Sequence, residues 1–176
     1  MWPIKWERPS AWDVAYAADI ALASLLTYFV MAWLLPRILG WESNPVGVIW
    51  AVISTVFVFR DTRVHSLAAG QARLLATGVS FVLCLGYLML FPFTALGMAA
   101  LIVIGSLFMI SIGRRDEIGL TGITTIVVMV VAADHPDDGW QQPLLRLMDT
   151  VIGIAVGVAC KWTLSSLSLD ILRREE

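Results

Sequence analysis

The run LLATGVSFVLCLGYLMLFPFTALGMAALIVIGSLFMISIG, from Leu74 to Gly113, contains no charged residue. About 20 apolar residues already cross a hydrocarbon layer roughly 30 Å thick, so this run is long enough to cross twice. It divides at Phe91-Pro92-Phe93, where proline interrupts the helix, into two spans joined as a tight helical hairpin. The chain is therefore read as an all-α membrane protein. Its composition agrees: 59% of the 176 residues are hydrophobic and 15% are charged, where a soluble domain carries about 25% charged residues.

Working outward from this hairpin predicts six transmembrane helices, at about 11–35, 45–59, 73–91, 93–112, 118–133 and 143–162. Ser10 is the expected N-cap of the first, with Asp13 completing a capping-box variant, and Pro36 is expected to close it. The whole of 1–176 is read as a single transmembrane domain with no soluble domain. No cleavable signal peptide is expected, so the first span serves as its own insertion signal. Lys and Arg counts in alternate loops set the orientation. With the N-terminus in the cytoplasm, the inside receives Lys5, Arg8, Arg60, Arg63, Arg73, Arg114, Arg115, Lys161, Arg173 and Arg174, and the outside only Arg37 and Arg146. N and C termini are accordingly placed in the cytoplasm.

A repeat overlies this pattern. Arg73-Leu-Leu-Ala-Thr77 and Arg146-Leu-Met-Asp-Thr150 stand 73 residues apart, each at the expected start of a span. The same offset carries the second span onto the fifth and, more loosely, the first onto the fourth. Three spans per half is an odd number, so the halves have opposite orientations. This 3+3 inverted repeat is the plan of many transporters.

The second and fifth spans are the shortest and occupy equivalent places, which makes them the expected location of a substrate site. They carry Thr55 and, in the fifth, Thr124 and Thr125; the competing use of such hydroxyls is helix packing. Arg146 lies on the side where the positive-inside rule disfavours it. Contact with an anion, or pairing with Asp149, explains it better than anchoring, because a guanidinium holds a carboxylate through two parallel hydrogen bonds. Arg73 is a weaker substrate-binding candidate, since anchoring accounts for its position. Trp50 falls inside the second span, where it either packs or stacks on an aromatic ligand. Asp149 and Asp19 are the carboxylates within spans, expected to carry protons or to form ion pairs; Asp19 has no arginine within helical reach on its own span. Gly153-Ile-Ala-Val-Gly157 is a G-x-x-x-G face for a close helix contact, within the chain or at a dimer interface.

Other chemistries are disfavoured. Cys84 and Cys160 both fall within spans, and His65 and His135 lie in loops on opposite expected sides. No metal site, catalytic motif or cofactor is expected from these, and no enzyme activity. The acidic stretch Asp134-His135-Pro136-Asp137-Asp138 matches no calcium loop and is read as a solvated connection. The expected partners are the lipid bilayer, a small organic anion and a second copy of the chain, with no nucleic acid.

At these residues the chain resembles the membrane domain of the fusaric-acid-resistance (FUSC) and aromatic acid exporter family. Ile49-Trp50-Ala51-Val52 suits that family's Tyr/Trp-Ala start to the second span. Arg146-Leu-Met-Asp149-Thr150-Val-Ile-Gly153 matches its Arg-x-x-Asp-Thr-x-x-Gly pattern in full. Arg73-Leu-Leu-Ala76-Thr77-Gly-Val-Ser80 departs from Arg-x-x-Gly-Thr-x-x-Gly, with Ala76 and Ser80 replacing both glycines. The resemblance spans roughly residues 12 to 163. It implies six spans and export of organic, often aromatic, carboxylates across the bacterial inner membrane, driven by the proton gradient. Plant aluminium-activated malate channels look similar in their membrane domain and act as dimeric anion channels. The alternatives to an exporter are thus a passive anion channel and a non-transporting scaffold or accessory subunit.

Overall fold

The computed structural model describes residues 8–40, 44–135 and 138–172. Lys5, Pro136, Asp137, Arg173 and Arg174, used above for orientation or as part of the acidic loop, lie outside them. The chain forms α1 (Ala11–Phe29), a π-helical turn (Val30–Leu34), α2 (Leu35–Leu39), α3 (Pro45–Val58), α4 (Arg63–Leu88), α5 (Ala95–Ser111), α6 (Ile118–Asp134) and α7 (Gln142–Leu172). Short 3-10 turns at Arg115–Glu117 and Gly139–Gln141 lead into α6 and α7. No strand occurs among the described residues.

Four helical stretches are long and apolar enough to cross a membrane: Ala11–Ile38, Arg63–Leu88, Arg115–Asp134 and Gly139–Leu164. Pro45–Val58 and Ala95–Ser111 are shorter apolar helices. The distribution of residues is inside out relative to a soluble protein. Leu22, Leu25, Phe29, Val82, Val103 and Leu107 are exposed, while Ser54, Thr55, Ser80, Thr125, Arg73 and Arg146 are buried. A surface this apolar has lipid as its solvent, and polar groups are then satisfied inward. The protein is a multi-pass membrane protein.

Local chemistry places the helix ends. Ser10 and Asp13 form the capping box, with Ser10 N–H donating to the Asp13 carboxylate at 2.8 Å and Asp13 N–H to Ser10 Oγ at 3.2 Å. Asn44 caps α3 by accepting from Val46 N–H at 2.9 Å, with Pro45 at the first helical position, where a missing N–H is harmless. Thr94 caps α5 after the Phe91-Pro92-Phe93 break.

Two helix starts and ends differ from expectation. Pro36 does not close the first helix, which continues through α2 to Leu39 and ends at Gly40 in the left-handed conformation (φ 66°). The π turn just before Pro36 is the reason: Leu35 N–H bonds back five residues to Val30 O, opening the turn in which a proline ring would otherwise strike a carbonyl. The helix bearing Arg73 starts at Arg63, capped by Thr62, so Arg73 lies inside α4 and not at its start. The short pair also changes: α3 has 14 residues, whereas α5 and α6 have 17 each and the 3-10 turn lengthens the α6 stretch to 20.

The helices meet along two parallel seams. In the first, Gly47 packs at Asp149, Ala51 and Ser54 at Gly153, and Thr55 at Gly157, so α3 and α7 run side by side in the same direction. This settles the partner of the Gly153/Gly157 face: it is α3 of the same chain. In the second seam Ser80 on α4 donates to Thr121 O on α6 at 2.9 Å, and Thr125 Oγ1 to Ser80 Oγ at 3.1 Å. Cys84, Leu101, Val128 and Met129 continue it as a hydrophobic cluster. Exchanging α1, α3, α4 with α5, α6, α7 preserves the packing scheme: α3·α7 becomes α6·α4, α1·α3 becomes α5·α6, and α4·α7 maps onto itself.

Candidate functional site

Trp50, Ser54 and Phe57 are spaced by four and three residues, which puts them on one face of α3. Both arginines lie along that face. Arg146, from the start of α7, sets its guanidinium carbon 4.8 Å from the centre of the Trp50 ring. Arg73, from within α4, donates from Nε to Ser54 Oγ at 2.9 Å and sits 4.8 Å from the Phe57 ring centre. Residue exposure is 5% for Arg146 and 3% for Arg73. The two cations are near enough for each to feel the other's charge. An arginine at membrane depth costs about 2.5–3.5 kcal/mol on insertion scales, before repulsion from a second one.

The two arginines are satisfied unequally. Arg73 has Ser54, whose own hydroxyl donates to Trp50 O at 2.8 Å, so that hydroxyl is held in place to accept. In Arg146, Nε and Nη1 are buried and find no hydrogen-bond partner among the described residues. Its ion pair with Asp149, one turn along α7, spans 3.6 Å from Nη1 to Oδ2, beyond hydrogen-bonding distance. The attraction is present, but the directional bonds of the guanidinium are unused. An arrangement of this kind, a buried fork of N–H donors with a ring on one side, is chemically suited to a planar anion.

The remaining candidates divide between packing and a second charged cluster. Thr55 lies in the α1–α3–α7 seam, donating to Gly153 O at 3.0 Å and lying 2.7 Å from Thr27 Oγ1. Thr124 donates to Leu120 O on its own helix, and Thr125 serves the α4–α6 seam. Asp19, half-buried on α1, is remote in kind from the arginine face: the charge it acts on is Lys161 of α7.

Lys161 is the residue that sequence reasoning missed. Counted there as one more cytoplasmic anchor, it is 5% exposed. Its ammonium lies 4.9 Å from the Phe59 ring centre and 5.3 Å from that of Tyr16, with Asp19 and Asp61 near enough to act on it. Tyr16 in turn donates to Phe59 O at 3.1 Å, closing the ring pair around the cation. The signal that could have found it is Tyr16-x-x-Asp19 on the first helix, an aromatic and a carboxylate on one face that need a cation from elsewhere.

No group of three or more His, Cys, Asp or Glu side chains able to hold a metal occurs among the described residues. No curated protein and no solved structure matches the chain. A family model described as fusaric acid resistance protein-like matches residues 30–160, which include α3, α4 and Arg146 with its Asp-Thr motif. The chain belongs to the fusaric acid resistance protein-like family and is a transport-related membrane protein.

Proposed function

We propose that the protein exports organic, including aromatic, carboxylate anions across the bacterial inner membrane, coupled to the proton gradient, and that it works as a homodimer. Arg146 is the main substrate contact, with Arg73, Trp50, Thr55, Thr124 and Thr125 as the other candidates, and Asp149 or Asp19 couples the proton. In this reading 1–176 is one transmembrane domain of six spans, a 3+3 inverted repeat with N and C termini in the cytoplasm. The exchange symmetry of helix packing supports the repeat. The Gly153/Gly157 face is taken up inside the chain, so a second copy would dock elsewhere.

The observation that carries the reading is the Arg146 guanidinium, buried over Trp50 with two nitrogens that make no hydrogen bond among the described residues. Leaving charged donors without hydrogen bonds in a buried site costs more than the roughly 1–3 kcal/mol of a neutral group, and an anion that accepts from them removes that cost. The test is carboxylate flux in proteoliposomes under imposed pH gradients. Arg146→Lys should cut flux at least about tenfold, because an ammonium cannot supply the planar fork. Absence of carboxylate flux under every gradient would refute the proposal. Electrogenic flux insensitive to both Asp19→Asn and Asp149→Asn would instead make the protein a passive anion channel.

A further inference from the structure

Asp149 occupies a place built for an anion. Its carboxylate rests against the first turn of α3, where Gly47 presents bare backbone: a Cβ there would stand 2.8 Å from Oδ1 and 3.1 Å from Oδ2. A helix start carries partial positive charge and attracts anions. Beside it lies a cavity of about 70 Å³, walled by Met31, Leu35, Asn44, Gly47, Met148 and Asp149 among others. At about 30 Å³ per water, that is room for two waters or for the head of a small carboxylate. Arg146 supplies Nε and Nη1, neither of which makes a hydrogen bond among the described residues, and Nη1 is 3.6 Å from the same Asp149 carboxylate.

We infer that Asp149 is an internal stand-in for the transported anion. The incoming carboxylate takes the place of the Asp149 carboxylate between Arg146 and the first turn of α3, and Asp149 accepts a proton as it yields. This rests on the reading of Arg146 as the residue that holds the anion. Charge balances: Arg146 faces one negative group before and one after, and Asp149 becomes a neutral acid by taking up one proton from the aqueous phase. The charges bearing on the exchange are Arg146 on its own helix and Arg73 from α4. The walls contributed by the first helix, Met31, Leu35 and Pro36, and by α3, Asn44 and Gly47, hold no titratable group.

The direction of coupling follows. Proton and anion bind here together, each favouring the other. Antiport requires them to exclude one another, so the proton exchanged for the anion travels by another group, for which Asp19, half-buried on α1, is the candidate.

The test is isothermal titration of the purified full chain in detergent with benzoate, between about pH 6 and 8, where the probe stays ionised. The wild type should bind more tightly as pH falls, by up to about tenfold per pH unit. Asp149→Asn should bind at least about tenfold tighter than wild type at pH 8 and lose the pH slope. Gly47→Ala, with a Cβ in the anion's place, should bind at least about tenfold more weakly. A variant that binds no tighter, or keeps the slope, overturns the inference; should Asp149→Asn fail to fold, a flat wild-type profile does so. Benzoate binding unchanged in Arg146→Lys removes the anion site itself. Binding lost in Arg146→Lys but pH-sensitive in Asp149→Asn removes only the stand-in role.

Discussion

Gly153→Ala is the smallest change that probes how α3 and α7 hold the arginine face together. A Cβ at this position would overlap the Ala51 carbonyl oxygen and stand 2.7 Å from Ser54 Cβ. Carbon atoms in contact prefer roughly 3.5–4.0 Å, so the seam must open by about 1 Å. Overpacking of this kind costs about 1–3 kcal/mol. Opening also lengthens the 3.0 Å bond from Thr55 Oγ1 to Gly153 O, and hydrogen bonds between membrane helices average about 0.6 kcal/mol. Together the loss comes to roughly 1.5–3.5 kcal/mol. Gly78→Ala is the control, because a Cβ at Gly78 meets nothing within 4 Å. It should stay within about 0.5 kcal/mol of wild type or gain slightly from helix propensity. Unfolding in mixed micelles titrated with dodecyl sulfate, followed by tryptophan fluorescence, measures both. Equal stability of the two variants would refute the seam as described.

Three further outcomes are expected in the same assay. Ser54→Ala removes the acceptor for Arg73 Nε and should cost at least about 1–3 kcal/mol, since it leaves a buried charged donor unpaired; a neutral result would mean that Arg73 has another acceptor. Thr55→Val should cost about 0.6–1.7 kcal/mol by deleting bonds between helices, whereas Thr124→Val, whose hydroxyl bonds only its own helix, should be close to neutral; the reverse order would contradict these assignments. Lys161→Met should lose about 1–2 kcal/mol of cation–π and ionic contact, and Lys161→Glu more, because it sets a third negative charge beside Asp19 and Asp61. A stabilised Lys161→Met would show that the cluster is held by packing alone.

How much of this was legible in the sequence depended on whether a pattern names its partner. The uncharged run, the Phe91-Pro92-Phe93 break, the Ser10 box and the Arg146-x-x-Asp149 pairing are local, and local rules found them. The Gly153/Gly157 face was visible as a face, but only the fold supplies the Ala51 carbonyl that it meets. Lys161 was hidden because a basic residue near a span end satisfies the positive-inside pattern whether it faces headgroups or two aromatic rings. Arg73 reads as a helix start when apolar length, and not the Thr62 cap, marks the boundary. Pro36 reads as a stop because the rule assumes an α-helical turn before it, and here that turn is π.

That π turn has a consequence for registration along the first helix. Tyr16, Ile20, Ala23 and Thr27 follow α-helical spacing along the side facing α3 and α7. At about 100° per residue, an unbroken α-helix would carry Leu35 a quarter-turn away from that side. The wider turn at Val30–Leu34 absorbs one residue without advancing the phase, so Leu35 returns to the inner side and walls the cavity at Asp149. A chain shortened by one residue within Val30–Leu34 could keep the same side facing inward as plain α-helix. The helix thus tolerates a change of one in length at that turn and not between Tyr16 and Val30, where a single deletion would rotate Tyr16 away from Lys161.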